Sequence, residues 1–355
     1  MMKAQPVVQV GIGDPMPRIT LPQAGGGLFD SYAAASDGRI RIYWAAAPPP
    51  ADETAWLIRM LAGCEAELHV VSRVAPADPH VCPSWLLDRG DELARAFAMD
   101  RPLAVVVDAS DRVAALFAAP TPAAVVAWAS RLYESTLPEV VQAKAPVLML
   151  ERVVEPDLCR RLIAHWRRGA KMENRVGAPS GNVVNADVKR RSDVQLDDPH
   201  LFVALRDRLA RRVLPAIKRS FQVEVGVIEA PIIGCYDARS GGCFRRHRDN
   251  TSVWTAHRQF AVSINLNDAE EYDGGELRFP EYGRHLYRPS AGAILAFSTS
   301  LLHEVVPVTR GCRFGAFTFL SASAPVTRTM PAGARPAGQP ARASGATNRA
   351  ISDST

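Results

Sequence analysis

The first 135 residues alternate between short apolar runs and segments with helical periodicity. Short, mainly apolar runs, typical of buried strands, predict strands over residues 40–44, 68–71 and 103–107. Apolar residues recurring every three to four positions predict helices over residues 54–63, 91–99 and 123–133. Strands that alternate with helices favour an α/β layer fold with a largely parallel sheet.

The pattern changes after a boundary segment that carries Pro138 and Pro146. Helical periodicity predicts one helix beginning near Pro156 and a second over residues 202–221. From Val223 onward the period falls to two, which predicts strands over residues 228–236, 260–266, 276–279, 293–297, 303–308 and 313–320. Short antiparallel strands of this kind predict a sandwich or double-sheet jelly roll with supporting helices.

These patterns divide the chain into four parts. They are an α/β domain over residues 1–135, a linker over 136–145, a mainly β domain over 146–323 and a tail over 324–355. The tail is rich in Ala, Pro, Gly, Ser and Arg and has almost nothing to bury, so it is predicted to be disordered.

Composition excludes several classes of protein. With 47% hydrophobic and 22% charged residues the chain is typical of soluble proteins, and no apolar run is long enough to cross a membrane. The net charge of +5 is not gathered into a basic patch with aromatic residues, which argues against a nucleic-acid partner. No secretory leader pattern is present and the six cysteines are scattered, so a cytoplasmic location with reduced thiols is expected.

Three residues have the pattern of a metal site. On an extended strand, residues i and i+2 project from the same face, so His247 and Asp249 can supply two ligands, and His303 can supply a third from another strand. Two imidazoles and one carboxylate on one side of the ion form the facial ligand set of non-haem iron. The alternative is a surface His-Asp pair, because His-x-Asp alone is common by chance.

Arg313 opens a strand that is apolar on both faces, where a buried guanidinium without an anionic partner would be costly. If strands 303–308 and 313–320 form a hairpin closed around Thr309 and Arg310, Arg313 lies about 7 Å from His303 on the same face. A short dicarboxylate could then bridge the metal and the guanidinium. The alternative is an ion pair between Arg313 and an acidic residue of 268–276.

Four segments in a fixed order resemble the prolyl 4-hydroxylase-type iron(II)/2-oxoglutarate dioxygenases. They are Tyr236, the run 242–249 (GCFRRHRD), the runs 263–268 (SINLND) and 274–279 (GGELRF), and the run 303–313 (HEVVPVTRGCR). The likeness covers about residues 146–322. It implies a double-stranded β-helix, a form of jelly roll.

The resemblance also implies roles for individual residues. His247, Asp249 and His303 would bind Fe(II), Arg313 would hold the distal carboxylate of 2-oxoglutarate, and Tyr236 would donate a hydrogen bond into the cosubstrate pocket. No further catalytic residue is implied. The cosubstrates would be 2-oxoglutarate and O2, with succinate as a product; a need for ascorbate stays open. For Tyr236 a half-buried strand tyrosine is the alternative.

Other residues of this region receive structural assignments. Gly274 and Gly275 are predicted to form a turn, and His257 and His285, which lack a partner at ligand spacing, are taken as solvated or structural. A surface ion pair between Arg191 and Asp193 is favoured over a place at the substrate entrance. Substrate choice is assigned to the loops 174–189 and 251–259.

Residues 8–135 resemble thioredoxin-like folds of the peroxiredoxin type, in the run 13–17 (GDPMP) and in the order of the strands that follow. The peroxidatic motif Pro-x-x-x-Thr-x-x-Cys would begin at Pro50 and Thr54, which places Leu57 where the cysteine should be. A leucine cannot form a thiolate. The domain is therefore interpreted as a degenerate module that docks a protein partner or regulates the chain.

The leading hypothesis is an Fe(II)- and 2-oxoglutarate-dependent dioxygenase that hydroxylates a prolyl or other protein side chain, or a small molecule. One alternative is a non-catalytic jelly roll that binds a metal or ligand beside a docking domain. The other is a thiol peroxidase that uses Cys64 or Cys82, although free cysteines are more often buried and inert. The sequence identifies neither the substrate nor the oligomeric state.

Overall fold

The computed structural model describes residues 9–322 except for 33–37, 48–49, 77–81, 83, 100–102, 137–139, 142, 173–174, 179–180 and 185–186. The predicted tail and parts of the predicted linker lie outside the described residues. Within the described ranges, no helix has both the length and the apolar character needed to cross a membrane.

The first part of the chain forms a five-stranded sheet and a separate two-stranded hairpin, β1–β2. Its strands are β1 Thr20–Pro22, β2 Leu28–Asp30, β3 Ile40–Ala45, β4 Ala66–Ser72, β5 Trp85–Leu87, β6 Leu103–Val107 and β7 Val113–Phe117. Its helices are α1 Ala51–Ala62, α2 Glu92–Phe97 and α3 Pro122–Glu134. The sheet order is β5-β4-β3-β6-β7.

The prediction of a largely parallel sheet is wrong for half of this sheet. Strand β4 pairs in parallel with β3 and β5, but β6 is antiparallel to both β3 and β7. The connection between β6 and β7 is a tight turn, and only antiparallel strands can be joined so closely. All five residues of β6 are buried, and a buried apolar run reads the same in either direction. Helices α1 and α3 pack on one face and α2 on the other.

The second part of the chain contains most of the strands. They are β8 Val147–Leu150, β9 Arg175–Ala178, β10 Gly181–Val184, β11 Lys189–Arg190, β12 Ser192–Gln195, β13 Val227–Ile228, β14 Ile232–Asp237, β15 Cys243–His247, β16 Phe260–Asn265, β17 Tyr272–Gly274, β18 Leu277–Arg278, β19 Leu286–Tyr287, β20 Ile294–Ser298, β21 His303–Val305 and β22 Val308–Ser321. The helices are α4 Pro156–Arg168, α5 Pro199–Arg208 and α6 Leu214–Phe221. A π-helical turn, Leu209–Val213, makes α5 and α6 nearly continuous, as the sequence predicts.

Two antiparallel sheets form the body of this part. The major sheet has the order β12-β14-β22-β16-β20-β8 and the minor sheet the order β11-β15-β21-β18-β19. Alternation along β14 separates two cores: Ile233 and Cys235 pack against α4, α5 and α6, whereas Tyr236 packs between the two sheets. The mixed α/β architecture with large sheets is consistent with the predicted jelly roll.

The predicted hairpin between His303 and Arg313 is wrong. Strand β21 pairs with β15 and β18 in the minor sheet, whereas β22 pairs with β14 and β16 in the major sheet. The chain therefore leaves one sheet and enters the other at Val306 and Pro307. Gly274 lies so close to this crossing that a Cβ at residue 274 would come within 2.1 Å of the carbonyl oxygen of Pro307.

A buried charge cluster joins the first sheet to the helices of the second part. The carboxylate of Asp14 accepts hydrogen bonds from Arg212 at 2.6 Å and from Arg211 at 3.2 Å. Arg112 donates to the carbonyl oxygens of Arg212 at 3.2 Å and of Gly13 at 2.5 Å. Arg212 also lies 2.8 Å from Glu155, so this buried guanidinium has two carboxylate partners, and Asp14 is the more buried of the two.

We expect Asp14→Ala to lower the free energy of unfolding by about 2 kcal/mol, because the buried Arg212 loses one of its two carboxylate partners and keeps only Glu155. Chemical denaturation followed by circular dichroism measures the change. Asp273→Ala, which breaks an exposed ion pair with Arg310, serves as the control and should leave the denaturation midpoint unchanged. Equal effects of the two substitutions would contradict this account of the junction.

Candidate metal centre and adjoining pocket

Strand pairing in the minor sheet brings the two histidines together. Strands β15 and β21 are antiparallel, and His247 and His303 are direct partners in their register. Their ring centroids lie 4.2 Å apart. Asp249 follows β15, and its backbone N–H donates to the carbonyl oxygen of Thr299 at 3.0 Å, which holds Asp249 beside the turn that leads into His303.

The three side chains converge on one point. Asp249 Oδ1 lies 3.4 Å from His247 Nε2, and Asp249 Oδ2 lies 3.4 Å from His303 Nε2. One ligand atom from each residue can be chosen so that all lie within 4.8 Å of one another. In the part of the chain that the structure describes, this is the one such group of three His, Cys, Asp or Glu side chains.

Backbone carbonyls fix the orientation of both imidazoles. His247 Nδ1 lies 2.7 Å from the carbonyl oxygen of Arg245, and His303 Nδ1 lies 3.0 Å from that of Leu301. A carbonyl oxygen only accepts, so each Nδ1 carries a proton, and each ring directs its Nε2 towards Asp249. This is the arrangement expected of histidines that bind a metal through Nε2.

The charges of the three groups suit a divalent cation. Burial lowers the pKa of His303 to about 4, so this ring is neutral at neutral pH. Burial opposes ionisation of Asp249, but the neighbouring His303 and His247 hold its pKa below the usual value. His247, His303 and Asp249 therefore offer two imidazole nitrogens and one carboxylate to a single point, and this donor set fits Fe(II).

Aromatic rings enclose the metal ligands. Phe244 stacks on His247 with centroids 3.5 Å apart, and Phe297 meets His303 edge-on at 4.7 Å. The pocket beside them is lined mainly by apolar residues of both sheets, namely Ile232, Tyr236, Ala261, Val262, Leu277, Val305, Phe317 and Phe319, with Arg191, Ser263 and Thr318. Such a lining excludes water from a reacting centre.

Arg313 is a buried cation, 2% exposed, in the major sheet. Its Nη1 donates to the carbonyl oxygen of Gly275 at 2.8 Å and its Nη2 to Ser263 Oγ at 3.4 Å. No carboxylate of the described residues lies within ion-pair distance, so the alternative of a salt bridge to an acidic residue of 268–276 is wrong. Asn267 holds the backbone on both sides of Arg313, through Cys312 O and Phe314 N.

Tyr236 is the direct partner of Arg313 in the pairing of β14 with β22. The Arg313 guanidinium carbon lies 5.6 Å from the Tyr236 ring centre. The half-buried alternative is wrong, because Tyr236 is 1% exposed. Burial raises the pKa of the phenol despite two nearby guanidinium groups, so the hydroxyl stays protonated at neutral pH.

Sequence reasoning missed a second charged group beside the pocket. Arg191 and Asp193 form a buried ion pair, not the surface ion pair that the sequence predicts, and Lys189 also pairs with Asp193. Burial lowers the pKa of Lys189 to about 8, which leaves it mostly protonated at pH 7. The signal was present as the spacing i, i+2, i+4, which places all three side chains on one face of an extended chain.

The remaining residues lie outside the centre. His257 Nε2 lies 3.4 Å from Glu229 Oε1, and His285 is exposed. Gly274 and Gly275 both adopt positive φ, at 78° and 75°, as the predicted turn requires.

Comparison with known proteins places this site in a family. Residues 233–321 match the family model described as the 2OG-Fe(II) oxygenase superfamily. A PKHD-type hydroxylase of Synechococcus sp. (strain JA-2-3B'a(2-13)) is 32% identical over 117 residues, covering 30% of this chain and 51% of that protein. Another from Teredinibacter turnerae is 29% identical over 185 residues, covering 49% of this chain and 78% of that protein.

A solved structure also matches: a prolyl-4-hydroxylase of Pseudomonas putida aligns over 51% of this chain and 95% of its own, with 19% identity and a TM-score of 0.39. The chain carries a 2OG-Fe(II) oxygenase domain with homologues among PKHD-type hydroxylases. It spans about half the length of the Synechococcus relative. The family uses Fe(II), 2-oxoglutarate and O2, which agrees with the donor set of His247, Asp249 and His303.

We expect the native protein to bind Mn(II), a redox-stable substitute for Fe(II), and His303→Ala to weaken that binding more than about 100-fold, because one of three ligands is lost. Isothermal titration calorimetry measures the affinity, and a chelator should reverse it. His285→Ala changes an exposed histidine and is the matched control. Undiminished binding in His303→Ala would contradict this assignment.

Proposed function

We propose that this protein is an Fe(II)- and 2-oxoglutarate-dependent dioxygenase that hydroxylates a C–H bond of its substrate. The observation that carries the proposal is the convergence of His247, Asp249 and His303, with each Nδ1 at a backbone carbonyl and each Nε2 directed at Asp249. A match to the oxygenase family model over the same residues supports it.

Within this proposal each residue has one task. His247, Asp249 and His303 hold the iron, which with 2-oxoglutarate and O2 supplies the chemistry that couples oxidative decarboxylation to hydroxylation. Arg313 binds the distal carboxylate of 2-oxoglutarate through its planar guanidinium, which stays charged at any working pH. Tyr236 donates its hydroxyl proton to the bound cosubstrate. The apolar lining keeps water out while the substrate is positioned.

The structure favours an enzyme over a metal-binding module without activity. A module that only binds a metal needs the three ligands and has no use for a buried guanidinium without a carboxylate partner. Burying Arg313 between a carbonyl and a hydroxyl leaves much of its charge uncompensated, which is costly unless an anion binds there. Arg313 is therefore best explained by an anionic ligand of this pocket.

The substrate is proposed to be a prolyl or other protein side chain, or a small molecule. The described loop 251–259 begins two residues after Asp249 and carries Val253 and Trp254, which are 81% and 76% exposed. Exposed apolar side chains beside a site are suited to substrate contact. The segment 174–189 contains the paired strands β9 and β10, and residues 174, 179–180 and 185–186 of it lie outside the described residues.

Anaerobic addition of Fe(II) and then 2-oxoglutarate should produce the visible charge-transfer band of the chelate. We expect Arg313→Ala to raise the dissociation constant of 2-oxoglutarate about 100-fold, because a charge-assisted contact is lost, while metal affinity is unchanged. Arg310→Ala removes an exposed arginine three residues away and is the control. Conversion of 2-oxoglutarate to succinate, with and without ascorbate, then measures turnover.

Absence of the band in folded native protein would overturn the dioxygenase proposal and leave the binding-module alternative. A charge-transfer band without formation of succinate in the presence of O2 would show that the site binds 2-oxoglutarate but does not turn it over, which would also overturn the dioxygenase proposal.

For the rest of the chain we propose the predicted organisation: a degenerate thioredoxin-like domain over residues 1–135, a linker, an oxygenase domain over 146–323, and a cytoplasmic location. The order β4-β3-β6-β7, with β3 parallel to β4 and the others antiparallel, supports the thioredoxin-like assignment. The buried Leu57 lies in α1 at the position where the peroxidatic cysteine is expected. Docking of a protein partner is the proposed role of this domain.

We expect the native protein to consume no hydrogen peroxide above the buffer rate. Cys64 and Cys82 are buried, and burial raises the pKa of the Cys82 thiol, which disfavours the reactive thiolate. A peroxide-consumption assay on the reduced protein tests this. Consumption that disappears in Cys64→Ala or Cys82→Ala would instead support the thiol peroxidase alternative.

A further inference from the structure

The buried group of Lys189, Arg191 and Asp193 lies where the chain passes from the minor sheet to the major sheet, between the edge strands β11 and β12. Asp193 accepts hydrogen bonds from Arg191 Nε at 2.5 Å, from Arg191 Nη2 at 3.1 Å and from Lys189 Nζ at 2.6 Å. Two parallel hydrogen bonds to one carboxylate fix the plane of the Arg191 guanidinium.

The major sheet makes room for this ion pair. A Cβ on Gly234 would come within 2.7 Å of Asp193 Oδ1 and 2.8 Å of Arg191 Nε, so glycine is required for the pair to lie against β14. Gly234 and Tyr236 are two residues apart on β14 and project to the same side. The ion pair therefore lies directly beside Tyr236, on the side of the sheet that faces the pocket.

Arg191 contacts the hydroxyl of Tyr236 and the ring of Phe317. Its Nη1 donates to Tyr236 Oη at 3.3 Å, and its guanidinium carbon lies 4.0 Å from the ring centre of Phe317. Phe317 in turn meets Tyr236 edge-on, with centroids 6.2 Å apart. The phenol is thus held by a hydrogen bond at its oxygen and by packing against its ring.

The direction of that hydrogen bond determines what Tyr236 can do. A guanidinium only donates, so the phenol oxygen accepts from Arg191 and its own proton is available to another acceptor. Among the described residues no acceptor for that proton lies within hydrogen-bond distance. Tyr236 lines the same pocket as His247, Asp249 and His303.

We propose that Arg191, anchored by Asp193, is a positioning residue that holds the Tyr236 hydroxyl as a hydrogen-bond donor to an anionic ligand in this pocket. The inference rests on the proposed function, in which that ligand is 2-oxoglutarate. Arg191 acts through Tyr236, whereas Arg313 contacts the ligand itself. The guanidinium carbons of both arginines lie 5.6 Å from the centre of the Tyr236 ring.

A double-mutant cycle on the full chain tests this. The affinity of the Mn(II)-loaded protein for 2-oxoglutarate is measured by calorimetry in native protein, Tyr236→Phe, Arg191→Lys and the double variant. Arg191→Lys keeps the charge beside Asp193 but loses the second nitrogen that reaches Tyr236. We expect each single variant to bind about tenfold more weakly, and the double variant to lie within about twofold of the single variants.

Two controls separate positioning from a general structural effect. Mn(II) affinity should be the same in all four proteins, and Arg239→Lys, in an exposed ion pair with Asp237, should bind 2-oxoglutarate as the native protein does. If Arg191→Lys does not fold, Asp193→Asn replaces it, because this change removes the negative charge that anchors Arg191 and keeps Arg191 itself. Asp193→Asn should then bind 2-oxoglutarate about tenfold more weakly, and combining it with Tyr236→Phe should add little further loss.

An additive loss of about 100-fold in the double variant would overturn the inference, because Arg191 would then act independently of Tyr236. Native affinity in Arg191→Lys would also overturn it. If the native Mn(II)-loaded protein does not bind 2-oxoglutarate at all, the proposed function fails, and that result differs from either of the others.

Discussion

The space between the two sheets has to hold ionised groups in apolar surroundings, and the rest of the site follows from how each charge is compensated. Asp193 is matched by two cations. Asp249 lies beside the Nε2 atoms of two imidazoles, and Arg313 has a carbonyl and a hydroxyl as hydrogen-bond partners. Since burial of an uncompensated charge costs several kcal/mol, a bound cation would stabilise the second arrangement and a bound anion the third.

The group of His247, Asp249 and His303 lies at the minor sheet and Arg313 in the major sheet, which explains the path of the chain between His303 and Arg313. The minor sheet carries both histidines and the major sheet carries Arg313, so a ligand that satisfies both must lie between the sheets. The chain supplies His303 to one sheet and Arg313 to the other within ten residues, because it crosses over at Val306 and Pro307. Gly274 permits this crossing, since any side chain there would collide with the Pro307 carbonyl.

The sequence was sufficient to predict most of the core strands and the grouping of His247, Asp249 and His303, because period-two alternation and His-x-Asp spacing report on which side chains share a face. It was not sufficient to predict sheet membership. The apolar run after His303 fits a hairpin and a crossover between sheets equally well. Which of the two forms depends on pairing with strands that are distant in the sequence. Because charged side chains are normally exposed, the sequence favours a surface ion pair for Arg191 and Asp193. The structure shows that this pair is buried in the space left by Gly234.

Tyr236 lies near two arginines that differ in how they are compensated. Arg191 makes a two-point contact with Asp193, so its position is set before any ligand arrives. Arg313 has no carboxylate partner among the described residues, so a bound anion would stabilise Arg313 more than Arg191. A fixed cation is suited to orient the phenol, and an uncompensated cation is suited to attract an anion. The same residue type would thus supply preorganisation in one case and binding in the other.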